Sequence, residues 1–141
     1  MVNAFWAALE EHKVIPEKVV VLAHARDKKA VGGVLPSLKT VAKGFDIQVE
    51  PEMQVVPEDS LQKGLARIAE VLKEAKKKGE VVLDITPARK SLATVAMRAA
   101  QMEGVAKVLY LHLKKVELGA WPYPLIPSTL HECHDLGALK L

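Results

Sequence analysis

With 141 residues, the chain suffices for one domain around a single core, read here as spanning 1–141. Half of the residues are hydrophobic and 26% are charged, which excludes a disordered chain. No apolar run approaches the ~18 residues of a membrane span, the single Cys133 excludes a disulfide within the chain, and a net charge of +3 is mildly basic, compatible with a polyanionic partner.

Met1-Val2-Asn3-Ala4-Phe5-Trp6 lacks a basic segment followed by an apolar one, so no signal peptide is expected. With one cysteine, this favours a cytoplasmic location. Asn3 to His12 reads as a short helix with Asn3 as cap and Phe5, Trp6 and Leu9 on one side. Pro16 closes the connection. Lys18 to Ala23 is a continuous apolar run, the pattern of a buried strand. A polar, cationic loop follows, His24 to Gly33, ending in paired glycines. The next helix is expected from about Pro36 to Lys43, stopped by Gly44. Phe45 to Glu50 alternates and predicts the second strand, with Pro51 to Pro57 as a connector.

Ser60 to Lys78 is the clearest helix. Leu61, Leu65, Ile68, Leu72 and Ala75 share one face, Asp59 or Ser60 caps it, and Gly79 ends it. Lys76, Lys77 and Lys78 lie at its negative end. Val81 to Ile85 predicts a central strand. Thr86 is placed to cap the following helix and Pro87 to occupy its first position. Leu92, Val95, Ala96, Ala99 and Met102 form that helix's buried stripe, and Gly104 stops it. Ala106 to Leu113 is the fourth strand. A hairpin or extended arm is expected from Lys115 to Ile126, then a tail from Ser128 to Leu141.

Strands that alternate with helices argue for an α/β fold: a Rossmann-like, open, mostly parallel sheet with helices on both faces. With the order 2-1-3-4, the switch point falls between the first and third strands, where ligands bind beyond the carboxyl ends. The loops there are His24–Gly33 and Asp84–Lys90, both cationic. Arg89 and Lys90 at a helix N-terminus oppose the helix dipole unless an anion compensates, and phosphate is the obvious anion. Neither a G-x-G-x-x-G fingerprint nor a Walker motif is present.

Asp84-Ile85-Thr86-Pro87-Ala88-Arg89-Lys90 resembles the D-[IV]-T-[GP]-G-[RK]-K loop of CRISPR-associated Rossmann-fold (CARF) domains. Tyr123-Pro124-Leu125-Ile126-Pro127 near the end is similar to that family as well. Family members often carry glycine where Ala88 stands. The resemblance implies a homodimer that binds a cyclic oligoadenylate across its two-fold axis in type III CRISPR antiviral signalling. A chain this short has no room for a fused effector. It would be a sensor acting through a separate effector protein, or a ring nuclease.

For cleavage, the ligand's own ribose 2′-OH attacks the adjacent phosphodiester in line, without a metal. Lys90 and Arg89 would stabilise the phosphorane charge, and His24 or Arg26 would move a proton or clamp a second phosphate. Asp84, Thr86, Pro87, Ala88, Gly32 and Gly33 complete the expected ligand-binding set. Trp121 and Tyr123 suit either adenine stacking or a dimer contact, and His112 suits a packed strand position. His131-Glu132-Cys133-His134 offers metal-ligand types, but no second cluster completes a zinc set, so neither a metal nor another cofactor is expected. Two rival functions remain open: a non-catalytic nucleic-acid-binding or regulatory module, and an enzyme acting on a mononucleotide or phosphorylated metabolite.

Overall fold

The computed structural model describes residues 1–139. In chain order the elements are α1 (Val2–Glu11), β1 (Val20–Ala23), α2 (Lys28–Gly44), β2 (Glu52–Val55), α3 (Leu61–Lys76), β3 (Val82–Asp84), α4 (Lys90–Glu103), β4 (Lys107–Leu113) and β5 (His131–Asp135). The fold is mixed α/β, with helices on both faces of two small, mostly parallel sheets. In one, β1 pairs in parallel with β2; in the other, β3 and β4 are parallel and β5 is antiparallel. The single ladder expected through all four strands is therefore interrupted between β1 and β3.

α3 and α4 cover one face. Their apolar stripes meet in a core containing Ile68, Leu72, Leu92, Val95 and Ala99. Leu22 from β1, Leu83 from β3 and Val108 from β4 pack on that same core, so both sheets lie under one helix pair. Fully burying Ile68 is worth about 1.5–3 kcal/mol. On the other face α1 packs on α2, β4 and β5, and α2 packs on β1 and β2. Trp6 of α1 meets Phe45 edge to face, with ring centroids 6.3 Å apart.

Local chemistry explains the element ends. The Ser60 hydroxyl accepts the Lys63 N–H and caps α3. Gly104 adopts φ 67°, the left-handed conformation that ends α4. At the end of α2 that conformation belongs to Asp46 (φ 60°), with the Ile47 N–H bonded to the Ala42 carbonyl; Gly44 lies inside the helix.

Four expectations are corrected. α2 starts at Lys28, so Pro36 sits in its interior rather than near its start. The ring is exposed, and the preceding glycines, Gly32 and Gly33, put no side chains in its way. The second strand is Glu52–Val55, not Phe45–Glu50; Pro51 precedes it, and the Glu52 N–H enters the ladder at Val19. Residues 115–126 form short 3₁₀ turns, whereas the hairpin partner of β4 is His131–Asp135, within the expected tail. His112 lies in β4 as expected, but it is exposed beside Tyr110.

Candidate functional site

The carboxyl ends of β1 and β3 lead into the two loops singled out by sequence, and a side-chain pair joins those loops. Arg89 Nε and Nη2 donate to the two carboxylate oxygens of Asp27 at 3.0 and 2.8 Å. This planar two-point contact suits a guanidinium. It holds Asp27 below the usual carboxylate range and raises the Arg89 guanidinium. Both groups border solvent, so the pair orients Arg89 more than it stabilises the fold.

Asp84-Ile85-Thr86-Pro87-Ala88 behaves differently from the expected helix start. β3 ends at Asp84, and a turn follows in which the Ala88 N–H bonds to the Ile85 carbonyl at 3.2 Å. α4 begins only at Lys90. Arg89 is its N-cap, with extended backbone, and no side chain caps its first N–H groups. Thr86 and Pro87 are therefore not the cap and first helical residue. The Thr86 hydroxyl donates to Asp84 Oδ1 at 2.6 Å and accepts the Leu111 N–H at 2.8 Å. It stands in for the next carbonyl of β3 after the backbone has turned away. Asp84 Oδ1 also accepts the Thr86 N–H at 2.8 Å. Burial raises the Asp84 carboxyl above its ordinary value, while the Thr86 hydrogen bonds pull it back. Ala88 spends its methyl on the α3–α4 core.

The remaining candidates separate by exposure. Lys90 and Ser91 are exposed at the α4 tip, and among the described residues no ion pair engages Lys90. Arg26 pairs with Glu58 at 2.6 Å. His24 is 5% exposed, and its Nδ1–H donates to the Val56 carbonyl at 3.1 Å. That bond leaves the neutral ring's lone pair on Nε2. His24 lines a cavity of about 100 Å³ together with Ser60, Gly64, Ser91 and Val95, between the first turns of α3 and α4. Gly32 and Gly33 are exposed within α2 rather than in a loop, and open space surrounds the position a Cβ would take on either.

Arg26 pairs with Glu58 and Arg89 with Asp27, while Lys28 and Lys29 follow Asp27 at the start of α2 and Lys90 opens α4, so the two adjoining helix starts carry more positive than negative charge. The uncapped α4 tip can accept an anion at backbone N–H groups, with Lys90 supplying charge and Arg89 a directed fork. Asp84 and Thr86 are held inside the fold and serve as its scaffold. Tyr123 is buried away from this region, with its hydroxyl donating to Glu11, while Trp121 is half exposed. Sequence reasoning missed Asp27, because its role depends on a partner across the two loops.

Compared with protein-family models and with curated proteins, the chain matches none. The fold and site therefore define a class, an α/β domain with a cationic helix tip at the carboxyl ends of its strands.

Proposed function

We propose that this domain binds a cyclic oligoadenylate at the α4 tip, as a homodimer in which each subunit supplies the same two loops. The observation that carries the reading is the Arg89–Asp27 fork beside the uncapped start of α4. It holds a guanidinium next to free N–H groups at the position where open α/β sheets take phosphorylated ligands. The adjoining cavity of about 100 Å³ is too small for a nucleotide, so the ligand lies across the surface. A ring with repeated phosphodiesters suits a two-fold arrangement of such tips.

Cleavage is a further step on the same geometry. The ribose 2′-OH attacks the neighbouring phosphorus, the P–O5′ bond breaks, and the 2′-OH proton is passed on to the departing O5′. The products are a 2′,3′-cyclic phosphate and a 5′-hydroxyl. Lys90 and the α4 N–H groups face the developing negative charge. His24, 5% exposed and bonded to the Val56 carbonyl, supports the tip from beneath rather than touching a ligand that lies across the surface.

The test is titration with cyclic tetra- and hexa-adenylate, following binding, particle mass and linear products. Lys90→Ala and Arg89→Ala should each weaken binding, and Lys90→Ala should slow any cleavage by on the order of 10²-fold. If neither ring binds at micromolar concentration, the reading is wrong. A steep salt dependence with duplex DNA or RNA instead would favour a general nucleic-acid module. Stabilisation by mononucleotides alone would favour a metabolite enzyme.

A further inference from the structure

A second polar cluster lies where the end of α1 meets β5. Glu11 and His12 close the helix, and Cys133 is the central residue of the strand. One donor atom from each of Glu11, His12 and Cys133 lies within 4.8 Å of the other two. The cysteine and histidine are half-buried, and Cys133 packs beside Ala7, Leu111 and Tyr123. None of these residues belongs to the anion site.

The surroundings orient these donors. His12 Nε2–H donates to the Cys133 carbonyl at 2.9 Å. A carbonyl only accepts, so the lone pair of His12 stays on Nδ1, and a backbone carbonyl is a usual anchor for the second nitrogen of a metal-bound imidazole. The Tyr123 hydroxyl donates to the Glu11 carboxylate.

Asp84 Oδ2 is a buried side-chain oxygen without a hydrogen-bond partner among the described residues, and His131 adjoins the cluster on the same face of β5 as Cys133. The His131 side chain is 9% exposed, and its Nδ1 lies 3.2 Å from Glu11 Oε1. Burial, and to a lesser degree the charges of Asp84 and Glu11, push the Cys133 thiol up to about 12, while the Asp84 charge is shared first with the Met1 ammonium and then with His12. Contacts from Tyr123 and His131 together fix the Glu11 carboxylate beside His12 and Cys133.

We propose that Glu11, His12 and Cys133 bind one borderline-soft divalent cation of the Zn²⁺ type. Mixed oxygen, nitrogen and sulfur donors select that class over Mg²⁺ or Ca²⁺. Binding releases the thiol proton to solvent, and the cation offsets the negative charge gathered on Glu11, Asp84 and the thiolate. Three protein ligands leave a fourth tetrahedral position to water. His131-Glu132-Cys133-His134 offered one of these three ligands; the other two lie more than a hundred residues earlier. The strand register separates the run further, since His131 and Cys133 share one face of β5 while Glu132 and His134 occupy the other.

The experiment strips the full chain with a chelator and titrates it with Co²⁺, then with Zn²⁺. Saturation at one ion per chain is expected, with a thiolate-to-cobalt charge-transfer band and tetrahedral ligand-field bands that Zn²⁺ abolishes. Cys133→Ser, nearly isosteric, should remove the charge-transfer band. His12→Gln should weaken binding at least tenfold, and Tyr123→Phe by roughly 10–100-fold through loss of ligand orientation. His134→Ala should change nothing. Wild-type protein without saturable Co²⁺ binding or without the charge-transfer band overturns the proposal with no variant involved. A band that persists in Cys133→Ser, or affinity lost equally in His134→Ala, overturns it too.

Discussion

Thr86→Val removes one hydroxyl and keeps nearly the same shape, so it isolates what that hydroxyl does. Two hydrogen bonds disappear. The bond to Asp84 Oδ1, at 2.6 Å, is made to a carboxylate, and such bonds contribute about 1.5–3 kcal/mol. The Leu111 N–H, now 2.8 Å from the hydroxyl, would be left unpaired inside the sheet at a cost of about 1–3 kcal/mol. Allowing for relaxation, the expected loss is about 3 kcal/mol, or roughly a 10 °C fall in Tm for a chain of this size. Thr86→Ser keeps both bonds and should stay within about 1 kcal/mol of wild type. Urea melts of metal-free protein measure the difference, and hydrogen exchange should find the Leu111 amide deprotected in Thr86→Val alone. If Thr86→Val melts within about 0.5 kcal/mol of wild type, the hydroxyl does not complete the β3–β4 ladder.

His24→Ala should cost about 2–4 kcal/mol, because it opens a cavity and strands the Val56 carbonyl; thermal melts check it before any cleavage assay is interpreted. Gly137→Ala should destabilise by at least about 1–3 kcal/mol, since a Cβ there would sit 1.8 Å from the Ala106 carbonyl oxygen; the Val108 amide, bonded to Asp135 Oδ1, should exchange faster. Pro36→Ala should stabilise by about 2 kcal/mol in urea titration by restoring an interior N–H of α2. Asp27→Asn should free Arg89 for an incoming phosphodiester, tightening cyclic-oligoadenylate binding a few-fold and steepening its salt dependence in calorimetry.

Where one element carries its own signal, the sequence was legible. The apolar stripe and Ser60 cap of α3 placed that helix within a residue or two, and the left-handed Gly104 placed the end of α4, whose start falls at Lys90 rather than Pro87. β4 was equally readable from its apolar run. The failures have physical causes. β2 is exposed and partly charged, with Glu52 paired to Lys18 at 2.8 Å, so it lacks the apolar pattern of a buried strand. β5 carries two histidines, an acid and a cysteine because one of its faces meets polar groups of α1, a tertiary fact invisible in the run itself. Pro36 reads locally as a start signal because a proline inside a helix is costly; α2 carries that cost, with the ring exposed and glycines at the preceding turn. At the candidate site, sequence placed together the two loops that Arg89 and Asp27 join. It misassigned Thr86, whose partner Leu111 lies a strand away.

The interrupted ladder has a mechanical consequence. Backbone hydrogen bonds resist shear, whereas a boundary without a strand ladder lets its two sides slide more easily. β1 with β2 and β3 with β4 and β5 meet along such a boundary, and Arg89 clasps Asp27 across it. An anion that draws Arg89 away from Asp27 would unfasten that clasp and leave the two sheets freer to shift against one another.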